Sequence, residues 1–369
     1  MVKLGELIEE CDLRNSDNTY THEDVVGIST DKKFITTKAN LEGVSLNSYK
    51  VVKPREFAYV ADTSRRGDKI ALALNTMEHP VLISSIYTSF RCQDENKLLP
   101  EYLYLLLIRT EFDRIARFNS WGSARETYMF SDLGRYEIPL PAIEVQREYV
   151  DAYHSLQQLA EQNEALAAPL QDACNAYLTQ LKLRFELVEL GNFIEQKSIK
   201  NSELTIDLVL GLSTQKRFRE PNSRVNKNDL RNYKIVEQNE FAYVPTTDTW
   251  KVFACALNDT GKTIVVSPIY VVFRCKEQFL PEFLNLWFKR VEFDRFARYN
   301  SWGSARENFS YQDLCLSRIP LPPIEVQRSI VALYNCAEEA RAIAKEAREQ
   351  LKILAPAMVQ RAANTPREV

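Results

Sequence analysis

Two hydrophobic periods alternate along this chain, and the alternation occurs twice. In residues 57–60, 81–86 and 265–273, short β-branched and aromatic runs are bounded by Asn, Asp, Gly and Pro, which is the signature of strands. Helices are predicted over 100–117 and 281–298, each opened by a proline where its missing N–H costs nothing. Further on, the period becomes 3.5 residues. The seam positions of the first such stretch are Tyr149, Tyr153, Leu156, Ala160, Asn163, Ala167, Leu170, Cys174, Tyr177 and Leu181. Those of the second are Ile330, Leu333, Ala337, Ala340, Ala344, Ala347, Leu351, Leu354 and Met358. Sustained steps of four and three predict coiled-coil packing. Two such helices in one chain pair most simply with each other, antiparallel. Pro169 and Pro356 each remove a hydrogen bond and are expected to kink or end their helix. The Ala-rich seam allows close approach but buries little area, so part of it is open to a partner helix.

The pattern occurs twice because the sequence does. Residues 118–126 read FNSWGSARE and 299–307 read YNSWGSARE; 138–147 read IPLPAIEVQR and 319–328 read IPLPPIEVQR. Phe57-Ala58-Tyr59-Val60 returns as Phe241-Ala242-Tyr243-Val244, and Glu111-Phe112-Asp113-Arg114 as Glu292-Phe293-Asp294-Arg295. A repeat of this length is a whole domain plus a tail. The expected fold class is α+β: two tandem domains of mixed β-sheet with helices, joined by two long, antiparallel coiled-coil helices with pseudo-two-fold symmetry. The expected boundaries are 1–141 and 187–322 for the domains, and 142–186 and 323–369 for the helices.

Composition adds limits rather than a function. At 369 residues, 45% hydrophobic and 26% charged, the chain is globular and long enough for two cores. With a formal net charge of −3, no global basic field points to nucleic acid, so any DNA contact needs local patches. Seven cysteines without a C-x-x-C pair fit free thiols in a reducing cytoplasm. Neither a secretory leader nor an apolar stretch of membrane-spanning length is visible, and a cytoplasmic protein is expected.

Catalytic signatures are missing. The three histidines (His22, His79, His154) are far apart. There is no G-x-x-x-x-G-K-[ST] or G-x-G-x-x-G phosphate loop, no adenine-methylating signature, no nuclease-like cluster and no G-x-S-x-G elbow. The repeated E-F-D-R block reads as a solvated charge pair on a helix. No catalytic residue, metal or cofactor is expected.

At the repeated G-S-A-R-E (122–126 and 303–307) followed by I-P-L-P-x-I-E-x-Q-R, the chain resembles the specificity subunit of type I restriction–modification enzymes. The resemblance covers both halves, in the order recognition domain, helix, recognition domain, helix. One departure is Glu144-Val145-Gln146, and likewise Glu325-Val326-Gln327, where the family often has Glu-Glu-Gln; it reads as a change on a helix surface. The resemblance implies a non-catalytic subunit. Each target-recognition domain would read one half of a split double-stranded DNA target. The helices would act as spacer and dock two methyltransferase subunits, with motor-nuclease subunits joining for restriction and no membrane involved. The specificity subunit of a type II enzyme cutting on both sides of its site, and an assembly scaffold that does not read DNA, are the alternatives.

Base reading needs directional side chains in a groove, and phosphate contact needs Lys, Arg or hydroxyls. The best candidates lie where the repeats differ between matched flanks. After FAYV one half reads ADTSRRGDKIALALN and the other PTTDTWKVFACALN. This makes Arg65, Arg66 and Lys69, and Thr247, Asp248, Trp250 and Lys251, the first candidates, against a solvated turn. A second set is Ser29, Thr30, Lys32 and Lys33, matched by Ser213, Thr214, Lys216 and Arg217, whose hydroxyl and basic character suits phosphates. Arg125 and Arg306, in the block common to both halves, are expected to hold the DNA backbone or brace the domain. Trp121 and Trp302 are expected to be packed, against the alternative that they stack on bases.

Overall fold

The structure, a computed structural model of the chain, describes residues 1–63, 69–123, 125–221, 227–247, 252–303 and 306–364. The chain divides into two compact units, Met1–Gln162 with Ile343–Val369, and Asn163–Ala342. Each contains a β-rich body and parts of both long helices.

In the first unit the main sheet has four antiparallel strands, in the order Ile8–Cys11, Thr88–Cys92, Phe57–Tyr59, Leu72–Leu74. Alternate side chains leave a strand on opposite faces, and here both faces are covered. Phe57, Tyr59, Leu72 and Phe90 pack with Tyr102, Leu103, Leu106 and Phe112 on one side. Ala58, Val60, Ala71 and Ala73 pack with Val52, Val81 and Ile83 on the other. Ala58 lies opposite Ala73, and these small side chains let the ribbon of Lys50–Val52 and Val81–Ile83 close over that face. Phe57 and Phe90 pair across strands and stack with centroids 4.7 Å apart and planes 3° apart.

The second unit repeats this design. Its sheet runs Ile194–Lys197, Val271–Cys275, Glu240–Tyr243, Cys255–Leu257. Phe241 stacks on Phe273 at 4.9 Å and 4°, and Ala242 faces Ala256. All named ladders are antiparallel. Each unit adds one isolated parallel bridge, Val25 to Leu82 and Val209 to Val265.

Two helix expectations change. The helix predicted over 100–117 is two helices, Pro100–Leu107 and Thr110–Phe118; the one over 281–298 is Pro281–Lys289 and Val291–Tyr299. The corners are Arg109 and Arg290, both extended, with ψ of 144° and 141°. Turning there brings Phe112 and Ala116 to the same core that Leu103 and Leu106 reach. Pro169 does not end the first long helix, Ile143–Arg184. Its side chain and residues 164–166 are exposed, so the carbonyl that the ring strips of a partner faces water. The second long helix, Ile324–Asn364, likewise runs through position 356.

The heptad seam is buried at Ala160, Ala167, Ala337, Ala340, Ala344 and Ala347. In the second unit Arg341 donates to Gln171 Oε1 at 3.3 Å, while Cys174 Sγ lies 4.0 Å from the Ile330 carbonyl. Rising numbers on one helix meet falling numbers on the other, so the pairing is antiparallel. In the first unit Tyr149, Val150, Tyr153 and Leu354 share one cluster. Tyr177 departs from the predicted seam: it is exposed, and Leu178 is buried in its place with Leu181, against the domain core.

Each long helix is fastened to its domain by one glutamine. Gln146 Oε1 accepts the Leu99 N–H at 2.9 Å, and its Nε2 donates to the Lys97 and Pro141 carbonyls at 2.8 and 2.9 Å. Gln327 makes the same three bonds to Leu280, Gln278 and Pro322, each at 2.9 Å. Both side chains are fully buried. The glutamine of the repeated E-V-Q is therefore a bracket, while Glu144 and Glu325 are exposed and Val145 and Val326 half-buried.

Candidate nucleic-acid interface

The stretch rewritten between the halves is clamped at both ends by residues the halves share. At its start, the Thr63 N–H donates to the Glu126 carbonyl at 3.0 Å. Just past its end, Asp113 Oδ1 accepts the Ile70 N–H at 3.0 Å. The second half does the same: Thr247 N–H to the Glu307 carbonyl at 2.9 Å, and Phe253 N–H to Asp294 Oδ1 at 2.9 Å. Glu126 and Glu307 are held in turn by Arg117 and Arg298. A common frame thus presents a different insert in each half. Arg65, Arg66, Asp248, Trp250 and Lys251 lie outside the described residues; Lys69, at the frame's edge, is exposed.

The two acids of the repeated E-F-D-R block have different fates. Glu111 pairs with Arg114 on the surface, but Asp113 is buried and pairs with Lys32. Asp294 pairs with Lys216 at 2.6 Å. This corrects two expectations at once. The aspartates are not solvated, and Lys32 and Lys216, 5% and 6% exposed, have no free face for a phosphate. Burial pushes both amines below the usual lysine range, against the pull of their aspartates. Each lysine sits in a left-handed turn, with φ of 62° and 58°, so the side chain points back into the domain.

The rest of that hairpin loop is mostly committed to its own turn. Ser29 Oγ donates to the Lys33 carbonyl at 3.2 Å, and Ser213 Oγ to that of Arg217 at 3.0 Å. Arg217 pairs with Glu338 at 3.1 Å. Thr30 is half-buried, and Thr214 and Lys33 are exposed. Thr247 moves from candidate reader to frame: it is 1% exposed, and its hydroxyl donates to Ser301 Oγ at 2.7 Å.

The shared N-S-W-G-S-A-R-E block forms the outer edge of the frame. Trp121 and Thr127 exchange backbone bonds of 3.1 and 2.9 Å, and Thr127 also bridges Asp62. Trp302, Asn308 and Thr246 repeat the arrangement. Gly122 and Gly303 make the turn, at φ of 146° and 147°. A Cβ there would lie 2.0 and 2.1 Å from the Arg125 and Arg306 carbonyls, so only glycine fits. Arg125 and Arg306 are exposed. Against expectation, Trp121 and Trp302 are not packed: each is 72% exposed. Phe118 and Tyr299, ending the preceding helices, are each 83% exposed.

Sequence reasoning missed the clamp itself. The signal was present as co-occurrence: the lysine of one repeated loop and the aspartate of another recur together on both sides of the divergent stretch. Among the described residues no cluster of His, Cys, Asp or Glu is arranged to hold a metal, and no helix is long and apolar enough to cross a membrane. All seven cysteines are free.

No protein-family model matches the chain, and no curated protein matches it. Among solved structures it is similar to the S subunit of a type I restriction-modification system from M. genitalium. The two are 12% identical with a TM-score of 0.53, covering 100% of this chain and 96% of that one. It is also similar to the HsdS subunit from Thermoanaerobacter tengcongensis, at 18% identity and a TM-score of 0.45, covering 98% and 95%. Along its whole length, then, this chain has the fold of the M. genitalium type I S subunit.

Proposed function

We propose that the chain is the DNA-binding specificity subunit of a type I restriction–modification complex. Each β-rich domain reads one half of a bipartite double-stranded target. The long helices set the gap and dock two methyltransferase subunits, and motor-nuclease subunits join for restriction. The chain performs no chemical step itself and works in the cytoplasm.

The observation that carries this reading is the divergent insert on a shared frame. A scaffold that binds one partner twice has no use for two different inserts. A reader of two half-sites needs them, because sequence is read by side chains at base edges while phosphate contacts only position the protein. Arg65, Arg66 and Lys69 on one side, and Asp248, Trp250 and Lys251 on the other, are the proposed readers. Arg125 and Arg306, with Lys33 and Thr214, are the proposed backbone contacts.

The test is a genome-wide map of methylated adenines in cells carrying this chain and its methyltransferase. Two short defined sequences separated by a fixed unspecified gap are expected. A continuous motif, or methylation independent of the chain, would overturn the proposal.

A further inference from the structure

We infer that Trp121 and Trp302 are sequence-independent DNA contacts, packing their indole rings on sugar and base-step faces beside the two reading inserts. The inference rests on the DNA-reading function proposed above and adds a contact class that it does not contain.

Three observations carry it. First, a 72% exposed tryptophan three residues past an 83% exposed aromatic occurs in both halves with matching exposures. Single exposed apolar residues need no explanation, but a matched pair held at the same place twice does. Second, the backbone that carries each ring is fixed in position. Backbone bonds on both sides and a glycine-only turn define the loop, which lowers the entropy lost on contact. Third, each tryptophan lies close to the point where the insert departs. Thr127 bridges Asp62 on one side and Trp121 on the other, so at the usual spacing of paired chains Trp121 is about 10 Å from the point where the insert departs. Thr246, Asn308 and Trp302 give the same spacing.

The identity of the block decides what the ring touches. The inserts differ, so what they read differs. The tryptophans do not differ, so they meet something both half-sites share. Beside a reading loop, that is the duplex itself: phosphates, sugars and the faces of stacked steps. Exposed Arg125 and Arg306, four residues beyond each tryptophan, supply the charge for the phosphates. The nearby acids Glu111 and Glu126 are already neutralised by Arg114 and Arg117. Aromatic and apolar wedges at base steps are an established way to grip DNA without reading it.

The test uses the full chain assembled with its methyltransferase subunits. Binding is measured to two duplexes of equal length, one carrying the mapped motif and one lacking it. Trp121→Ala and Trp302→Ala should each weaken both duplexes by roughly tenfold, leave the methylated motif unchanged, and be largely rescued by Trp→Phe. As a check independent of stability, acrylamide quenching of the unaltered complex is compared with that of the complex carrying Trp121→Phe and Trp302→Phe, so that the difference reports these two exposed indoles. Either duplex should then shield the fluorescence from acrylamide. Unchanged affinity with no shielding overturns the inference, as does loss of subunit assembly with DNA affinity of the intact complex preserved, which would make the rings a protein-docking site. Failure of the unaltered complex to bind either duplex would remove the proposed function itself.

Discussion

Lys32 and Asp113 form a buried ion pair between a hairpin turn and a helix 81 residues away, and Lys216 and Asp294 form its counterpart. The same Asp113 oxygen takes the Ile70 N–H, and the Lys32 amine also donates to the Ile70 carbonyl at 2.8 Å. One buried pair therefore fixes a hairpin, a helix corner and the far end of the divergent insert.

Breaking one partner strands the other in the core. Asp113→Asn is expected to destabilise the first unit by about 3–5 kcal/mol, and the double change Lys32→Met with Asp113→Leu by much less. Denaturant unfolding of the three chains checks this. Equal losses in the single and double variants would show that the charge pairing is not what matters.

The glutamine brackets are a second test of how helix and domain are joined. Gln146→Ala leaves one buried N–H and two carbonyls without partners, at about 1–3 kcal/mol for each group left unsatisfied. Amide exchange at Leu99 should accelerate by at least tenfold while amides in the Phe57–Tyr59 strand change little. Uniform acceleration would mean the glutamine supports the whole unit rather than the junction.

Much of this was legible in the sequence, and the failures have a common cause. The doubled β-then-helix order, the seam alanines and the divergent insert all followed from periodicity and self-comparison. What failed were side chains whose partners are remote. Asp113 looked solvated because its own helix offers Arg114, yet Lys32 reaches it from the other side of the domain. Gln146 sits in a polar run, and only the packing of Leu99 reveals it as buried. Trp121 was expected inside on its chemistry, but the glycine turn at 122 holds it out. Burial of a polar group, or exposure of an apolar one, depends on the tertiary neighbours, which a local pattern does not encode.

Helix length is proposed to set the gap between half-sites. The first long helix has 42 residues, about 63 Å at roughly 1.5 Å per residue. Inserting four residues after Ala160 and, to keep the pairing, four after Ala344 adds roughly 6 Å and about one turn. The methylated motif should keep both half-sequences and lengthen its gap by one or two base pairs, each about 3.4 Å. An unchanged gap would mean the domains are positioned by something other than the helices.

Within the insert, Arg65 and Arg66 are the proposed readers of the first half-site. Changing both to Ala should weaken or relax that half alone, at about 1–3 kcal/mol for each lost bidentate base contact. Equal loss at both halves in a binding titration would assign them to the backbone instead.

The central claim is that the clamped insert chooses the bases, and a transplant tests it most directly. Residues 64–69 are replaced by 248–252, so that Thr63 and Ile70 keep their frame while the insert of the second half occupies the first. Methylated adenines are then mapped in cells carrying the chimera and its methyltransferase. The account predicts that the second half-sequence is unchanged and that the first is replaced by a sequence related to it. A map identical to that of the unaltered chain would contradict it, because the inserts would then not be the readers.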